Sequence, residues 1–215
     1  MNPPPPSITR TPLHTRAVTY RGFARSDGLW DIEGRLVDTK DYPLEKFGGE
    51  VLPPGAPGHD MSICVTVDEA LKIVDIQTGM PSTPFEGCLD AAEPMRRLVG
   101  ATMGRGWRKT IDEAVGGERG CTHLRELLFN LATAAMQTVP HHILTMRRAQ
   151  GLAPLESARS PYFIGKCLSW RLDGPAVRDH FPRFFMERAQ PEPRQPDVAE
   201  PGPKPGRQEP APRSG

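Results

Sequence analysis

Two thiols, two imidazoles and a carboxylate stand at the ends of regular elements in one stretch of the chain, from His59 to His123. His59-Asp60 opens an alternating run over residues 61–67. Phe85-Glu86-Gly87-Cys88 precedes one helical segment, and Gly120-Cys121-Thr122-His123 precedes a second. Sulfur, imidazole nitrogen and carboxylate oxygen are the donors that a zinc or iron site uses, and a cysteine at a helix start is the setting of a reactive thiol. Unpaired N–H groups and the helix dipole favour a thiolate at Cys121, and His123 is placed to share a ligand with it or to hydrogen-bond it. The candidate metal ligands are therefore His59, Asp60, Cys88, Cys121 and His123, and the candidate catalytic groups are Cys121, His123 and Asp60. The plain alternative makes Cys88 and Cys121 small packing residues and His123 a surface residue of a first helical turn. Cys64 falls inside an alternating strand and reads as a half-buried filler, while the part played by Cys167 stays open.

Positioning these groups falls to strands first. Residues 17–25 predict a short strand, Asp27-Gly28 a tight turn, and residues 29–38 a second strand in which Trp30, Ile32, Gly34 and Leu36 alternate with Asp31, Glu33, Arg35 and Val37. Asp31, Glu33 and Asp38 are either a carboxylate set for a metal or a solvated strand face paired with Arg25 and Arg35, and the solvated face is the expectation. Prolines and glycines over residues 40–58 predict a long loop. Residues 61–67 and 71–78 predict a hairpin turned by Asp68-Glu69-Ala70, and Pro81 to Pro84 should break the sheet.

Helices are expected next. Leu89, Ala92, Met95, Val99 and Met103 make a helical stripe over residues 89–102, and a short helix over 107–115 is closed by Gly116-Gly117. The strongest helix begins at Thr122, with Leu124, Leu127, Leu128, Leu131 and Ala135 on one face, and Pro140 should end or kink it. A last strand is expected over residues 162–170, with residues 181–185 packing back onto the core. The fold class is α+β, an antiparallel sheet packed against helices.

The 25 prolines are too many for one packed domain and cluster at the ends, so residues 1–12 and 189–215 are expected to be disordered and 13–188 to form a single α+β domain. A net charge of +1 with interspersed signs gives no one-sided basic face, which argues against nucleic acid. No apolar run is long enough for a bilayer and no secretory pattern opens the text, so the expectation is a cytoplasmic protein whose four cysteines stay reduced. A protein partner is left open.

The order of parts resembles the NifU-type iron–sulfur scaffold proteins, IscU and SufU. The residues that carry the likeness are His59-Asp60-Met61, the hairpin after it, Gly87-Cys88, Leu98-Val99-Gly100, Asp112-Glu113-Ala114 and Gly120-Cys121-Thr122-His123. They span about a third of the chain. The resemblance implies a NifU-like core with extra N-terminal strands and a site at His59, Asp60, Cys88 and Cys121, for zinc, iron or a nascent cluster, with His59 standing where that family has its first cysteine. The family's chaperone-binding Leu-Pro-Pro-Val-Lys has no counterpart before Cys121, where Gly116-Gly117-Glu118-Arg119 stands. The whole chain also resembles an uncharacterised bacterial domain-of-unknown-function family, on the texts DIEGRLVDTK, TPFEGC and GCTHLRELL.

Three functions follow as expectations. The first is a metal-binding protein on a NifU-like framework, holding zinc or iron in a structural role or in sulfur or cluster handling. The second is a thiol- or zinc-dependent enzyme of hydrolase or acyl-transfer type using Cys121 and His123. The third is an adaptor whose proline-rich ends bind partners.

Overall fold

Alternation in the second strand sets the buried face of the molecule. Trp30, Ile32, Gly34 and Leu36 are buried while Glu33 and Arg35 face out, as a period of two requires. The computed structural model describes residues 8–152, 161 and 163–187. The proline-rich segments 1–7 and 188–215 lie outside the described residues. The chain divides into two compact units, Met1–Leu155 and Glu156–Gly215, each described by itself.

The first unit is α+β. Four antiparallel strands form a meander in the order β1 (His14–Ala24), β2 (Trp30–Lys40), β5 (Pro57–Val67), β6 (Ile73–Ser82). Between β2 and β5 the expected long loop carries a small two-stranded sheet of its own, β3 (Leu44–Glu45) and β4 (Val51–Leu52). On β5, Met61, Ile63, Val65 and Val67 are buried and form the hairpin's apolar face. β6 runs on to Ser82, past Pro81, because it is an edge strand and the ladder loses nothing essential at that proline.

Helix α2 (Thr122–Ala149) covers the buried face, lying across β1, β2 and β5, and helix α1 (Trp107–Val115) packs against α2 and residues Glu93–Leu98. Leu124, Leu127, Leu128, Leu131, Ala135 and Val139 are its buried stripe. Glycines on the sheet let the helix come close. A methyl group on Gly34 would stand 3.2 Å from Leu131 Cδ1, and one on Gly22 would overlap the side chain of Thr138.

Two helical expectations are corrected. The stripe over residues 89–102 is not one α-helix but two 3₁₀ helices, Glu86–Ala91 and Glu93–Leu98. Pro94, in the first turn of the second, has no N–H for an α-helical bond, and the pieces bury Met95 and Leu98 at a spacing of three while Leu89 and Val99 stay exposed. Pro140 does not end α2, which continues to Ala149. Beyond the proline, Ile143 packs on the core and Trp30 Nε1 donates to His142 Nδ1 at 3.2 Å, so tertiary contacts hold the last turns. Among the described residues no helix is long and apolar enough to cross a membrane.

In the second unit residues 163–170 form turns rather than the expected strand; Tyr162 lies outside the described residues. Gly165, at φ 72°, donates to the carbonyl of Trp170. The rings of Phe163, Trp170 and Phe181 cluster with centroids 4.7–5.8 Å apart, ahead of and just after helix α3 (Pro175–His180).

The close approach of β1 to α2 is testable. Gly22→Ala is expected to lower unfolding free energy by about 1–3 kcal/mol, as overpacking does. Thr138→Ala in the same chain, which removes the two nearest colliding atoms, is expected to recover part of that loss. An unchanged denaturation midpoint for Gly22→Ala would contradict this packing.

Candidate functional site

Asp38 continues the buried face of β2 two residues beyond Leu36 and is only 6% exposed. A carboxylate there must be matched by donors, because an unpaired buried charge is costly. The two neighbouring strands supply them. From β1, Arg16 Nε and His14 Nε2 each lie 2.9 Å from Oδ1, and Arg16 Nη2 donates to Oδ2 at 2.9 Å. From β5, His59 Nδ1 lies 3.2 Å from Oδ2. Register explains the convergence, since Asp38 stands directly opposite Arg16 on one side and His59 on the other. Burial alone would push the Asp38 carboxyl up, but the bonds from Arg16 and His14 and the nearby Arg16 and His59 charges outweigh it and hold it at about 2. Arg16 also reaches Glu126 Oε2 at 2.6 Å, tying β1 to the first turns of α2.

His59 faces α2. Its ring centroid is 4.2 Å from that of His123, at an interplanar angle of 37°. Burial, followed by the neighbouring His123, holds the His59 imidazole below its usual value, which favours the neutral form. Because the carboxylate of Asp38 can only accept, Nδ1 of neutral His59 carries the proton and Nε2 keeps its lone pair. One ligand atom from each of Asp38, His59 and His123 lies within 4.8 Å of the others, and among the described residues this is the set of three that so converges.

Cys121 is the N-cap residue of α2. Its Sγ lies 3.8 Å from His123 Nδ1 and 3.9 Å from Met61 Sδ. Burial pushes the thiol up, yet the bond with His123 and the backbone N–H groups of Leu124 and His123 win, so it titrates below an ordinary thiol. His123 is correspondingly raised, chiefly by its bond with Cys121.

The structure thus brings His59, Cys121 and His123 together and adds Asp38. Asp60 points to the opposite face of β5, where Arg35 grips it bidentately at 2.8 and 2.7 Å. Adjacent strand residues face opposite ways, so His59 and Asp60 cannot serve one site from a regular strand. Cys88 lines a 360 Å³ cavity that Cys121 also lines; neither sulfur belongs to the converging set of three, but Cys121 alone of the two touches His123. Cys64 is half-buried, and burial, with the charges of Asp31 and Glu33, pushes its thiol up to about 11, so it stays protonated. Cys167 is exposed in the second unit.

The expected pairing of the acidic strand face holds for Asp31, which Arg25 meets at 3.2 Å, but Arg35 turns to Asp60 and Asp38 is not on that face. His14, Arg16 and Asp38 were not expected at the site. The signal for Asp38 was its even-numbered parity with Trp30, Ile32 and Leu36, which puts a carboxylate on an apolar face.

Because the folded-state pKa of Asp38 is depressed from 3.8 to about 2, its contribution to stability is present above pH 3.8 and is lost as pH falls through about 2. Asp38→Asn is therefore expected to be less stable than wild type by about 2 kcal/mol at neutral pH, with the gap closing across that acid window. Chemical denaturation of both proteins along a pH series checks it. A gap that stays constant down to the lowest pH would contradict the assignment.

A family model matches residues 14–137, more than half of the chain and the span that holds every residue of this site. No curated protein and no solved structure matches, and no comparison supports the likeness to NifU-type scaffolds. The chain belongs to the family described as Protein of unknown function (DUF2889).

Proposed function

We propose that this protein binds a single zinc or iron ion through His59, His123 and Cys121, with Asp38 orienting His59 from behind. The observation that carries the reading is the convergence of Asp38, His59 and His123 ligand atoms within 4.8 Å, with the Cys121 sulfur 3.8 Å from His123. Two imidazoles and a thiolate are borderline-soft donors suited to zinc or iron. Asp38 already holds His14 and both nitrogens of the Arg16 fork, so its remaining task is the contact with His59 Nδ1. A carboxylate behind a metal-bound histidine is the usual means of fixing tautomer and ring orientation. A single thiol, that of Cys121, beside the converging groups suits a mononuclear ion better than a cluster, which cysteines ordinarily hold. Three protein ligands leave a fourth position for water or for a substrate oxygen or sulfur, the pattern of a site that handles a substrate. Cytoplasmic placement, where thiols stay reduced, belongs to the same reading.

Elemental analysis of freshly purified protein tests it. About one equivalent of metal is expected, abolished by His59→Ala, His123→Ala or Cys121→Ser and retained by Cys88→Ser. Asp38→Asn should keep the site but weaken it by about 10–100-fold, the usual cost of losing such a partner. Metal-free native protein, or metal indifferent to the histidine and Cys121 changes, would count against the proposal.

The opposed titration of Cys121 and His123 favours a second reading, a thiolate–imidazole pair serving as nucleophile and base in acyl transfer. Cys121 opens onto the 360 Å³ cavity. In chelator-treated protein, iodoacetamide should modify Cys121 with an apparent pKa below 9.0, well before Cys64, and His123→Ala should move it upward. A Cys121 that alkylates with the profile of an ordinary exposed thiol would exclude this reading.

A further inference from the structure

We infer that a cavity with His59 and Asp38 in its wall binds a small organic anion, one aromatic ring or short aliphatic chain bearing a carboxylate or phosphate. The cavity measures about 270 Å³ and lies between the ends of β1 and β2 and the small β3–β4 sheet. That is the space of about nine waters at ~30 Å³ each, below the range of drug-sized pockets.

Its charge follows from strand alternation. The stripe Leu36, Asp38, Lys40 leaves the core along β2 and carries Lys40 into the cavity wall. Lys40 is half-buried and has no ion pair among the described residues; its cross-strand neighbour is His14, itself engaged with Asp38. Lys46, only 18% exposed, pairs with Glu50 at 3.0 Å, but Glu50 is 64% exposed and such a surface pair exchanges partners at small cost. The two carboxylates of the wall do not cancel these cations. Asp38 is occupied by Arg16 and His14, and Glu45 is solvent-exposed, where water screens its charge.

The body of the ligand has apolar surroundings. Leu44 and Pro84 line the wall, and Phe47 stacks on Phe85 across the rim, centroids 4.9 Å apart and rings 27° from parallel. Phe47 is nevertheless 87% exposed, so one ring face is left for a flat or aliphatic group. Lysine ammonium heads beside an apolar floor recognise a charged head on a hydrophobic body.

This inference does not depend on the metal reading, because Lys40, Lys46 and Phe47 lie outside the metal set. Isothermal titration calorimetry on the full chain, as purified and after chelation, tests it with benzoate, phenyl phosphate and neutral benzyl alcohol. Saturable single-site binding of at least one anion is expected in both preparations, with benzyl alcohol weaker by about tenfold or more. Benzoate alone would assign a carboxylate head, phenyl phosphate alone a phosphate head. Lys40→Gln should weaken the bound anion by about tenfold and Phe47→Ala several-fold, with circular dichroism unchanged. The inference is overturned if natively folded protein binds neither anion at millimolar concentration. It is equally overturned if benzyl alcohol binds as tightly or if Lys40→Gln changes nothing. Anion binding without metal would sink the metal reading alone, and metal without anion binding would sink this one alone.

Discussion

A single buried carboxylate organises this molecule. Asp38 sits where the apolar face of β2 runs out, and its charge can remain there only because β1 and β5 bring donors to both of its oxygens. The cost of leaving any of them unmatched ties three neighbouring strands to one register at their shared end. Arg16 extends the constraint to the helix layer, since its free nitrogen is held by Glu126 in the second turn of α2. The sheet end and the helix start are thereby fixed relative to each other.

The chemistry grows out of that junction. Once β5 is in register, His59 must face the start of α2, where Cys121 holds the N-cap position and His123 follows in the first turn. His59 held below its usual value, Cys121 held below an ordinary thiol and His123 raised by its bond with Cys121 are three donors whose shifts each have a local cause. The other face of the same strand does different work. There Asp60, buried, and Arg35 close a bidentate pair and Thr66 donates to Asp31, which leaves those carboxylates committed to the sheet.

Much of the fold was legible because periodicity reports burial directly. The alternations around Trp30 and Met61 located two central strands, and the leucine stripe after Thr122 located α2. What misled were residues whose local propensity was overruled by contacts elsewhere. Pro140 is carried inside a helix because Ile143 and His142 have partners on the core and at Trp30, and the apolar stripe around Met95 is satisfied equally well by 3₁₀ turns. At the candidate site, the neighbourhood of Cys121, His123 and His59 could be anticipated from their place at element ends. Asp60 was adjacent in sequence but faces the wrong way, and His14 and Arg16 could not be read as site residues because only strand pairing brings β1 to Asp38.

Cobalt substitution tests the central claim most directly, since the visible spectrum reports both geometry and ligand type. Titrating Co²⁺ into chelator-treated full-length protein is expected to saturate at one equivalent with intense tetrahedral d–d bands. A near-ultraviolet sulfur-to-cobalt charge-transfer band should accompany them and vanish in Cys121→Ser but persist in Cys88→Ser. A weak octahedral spectrum without the sulfur band, unchanged by His59→Ala, would contradict the account.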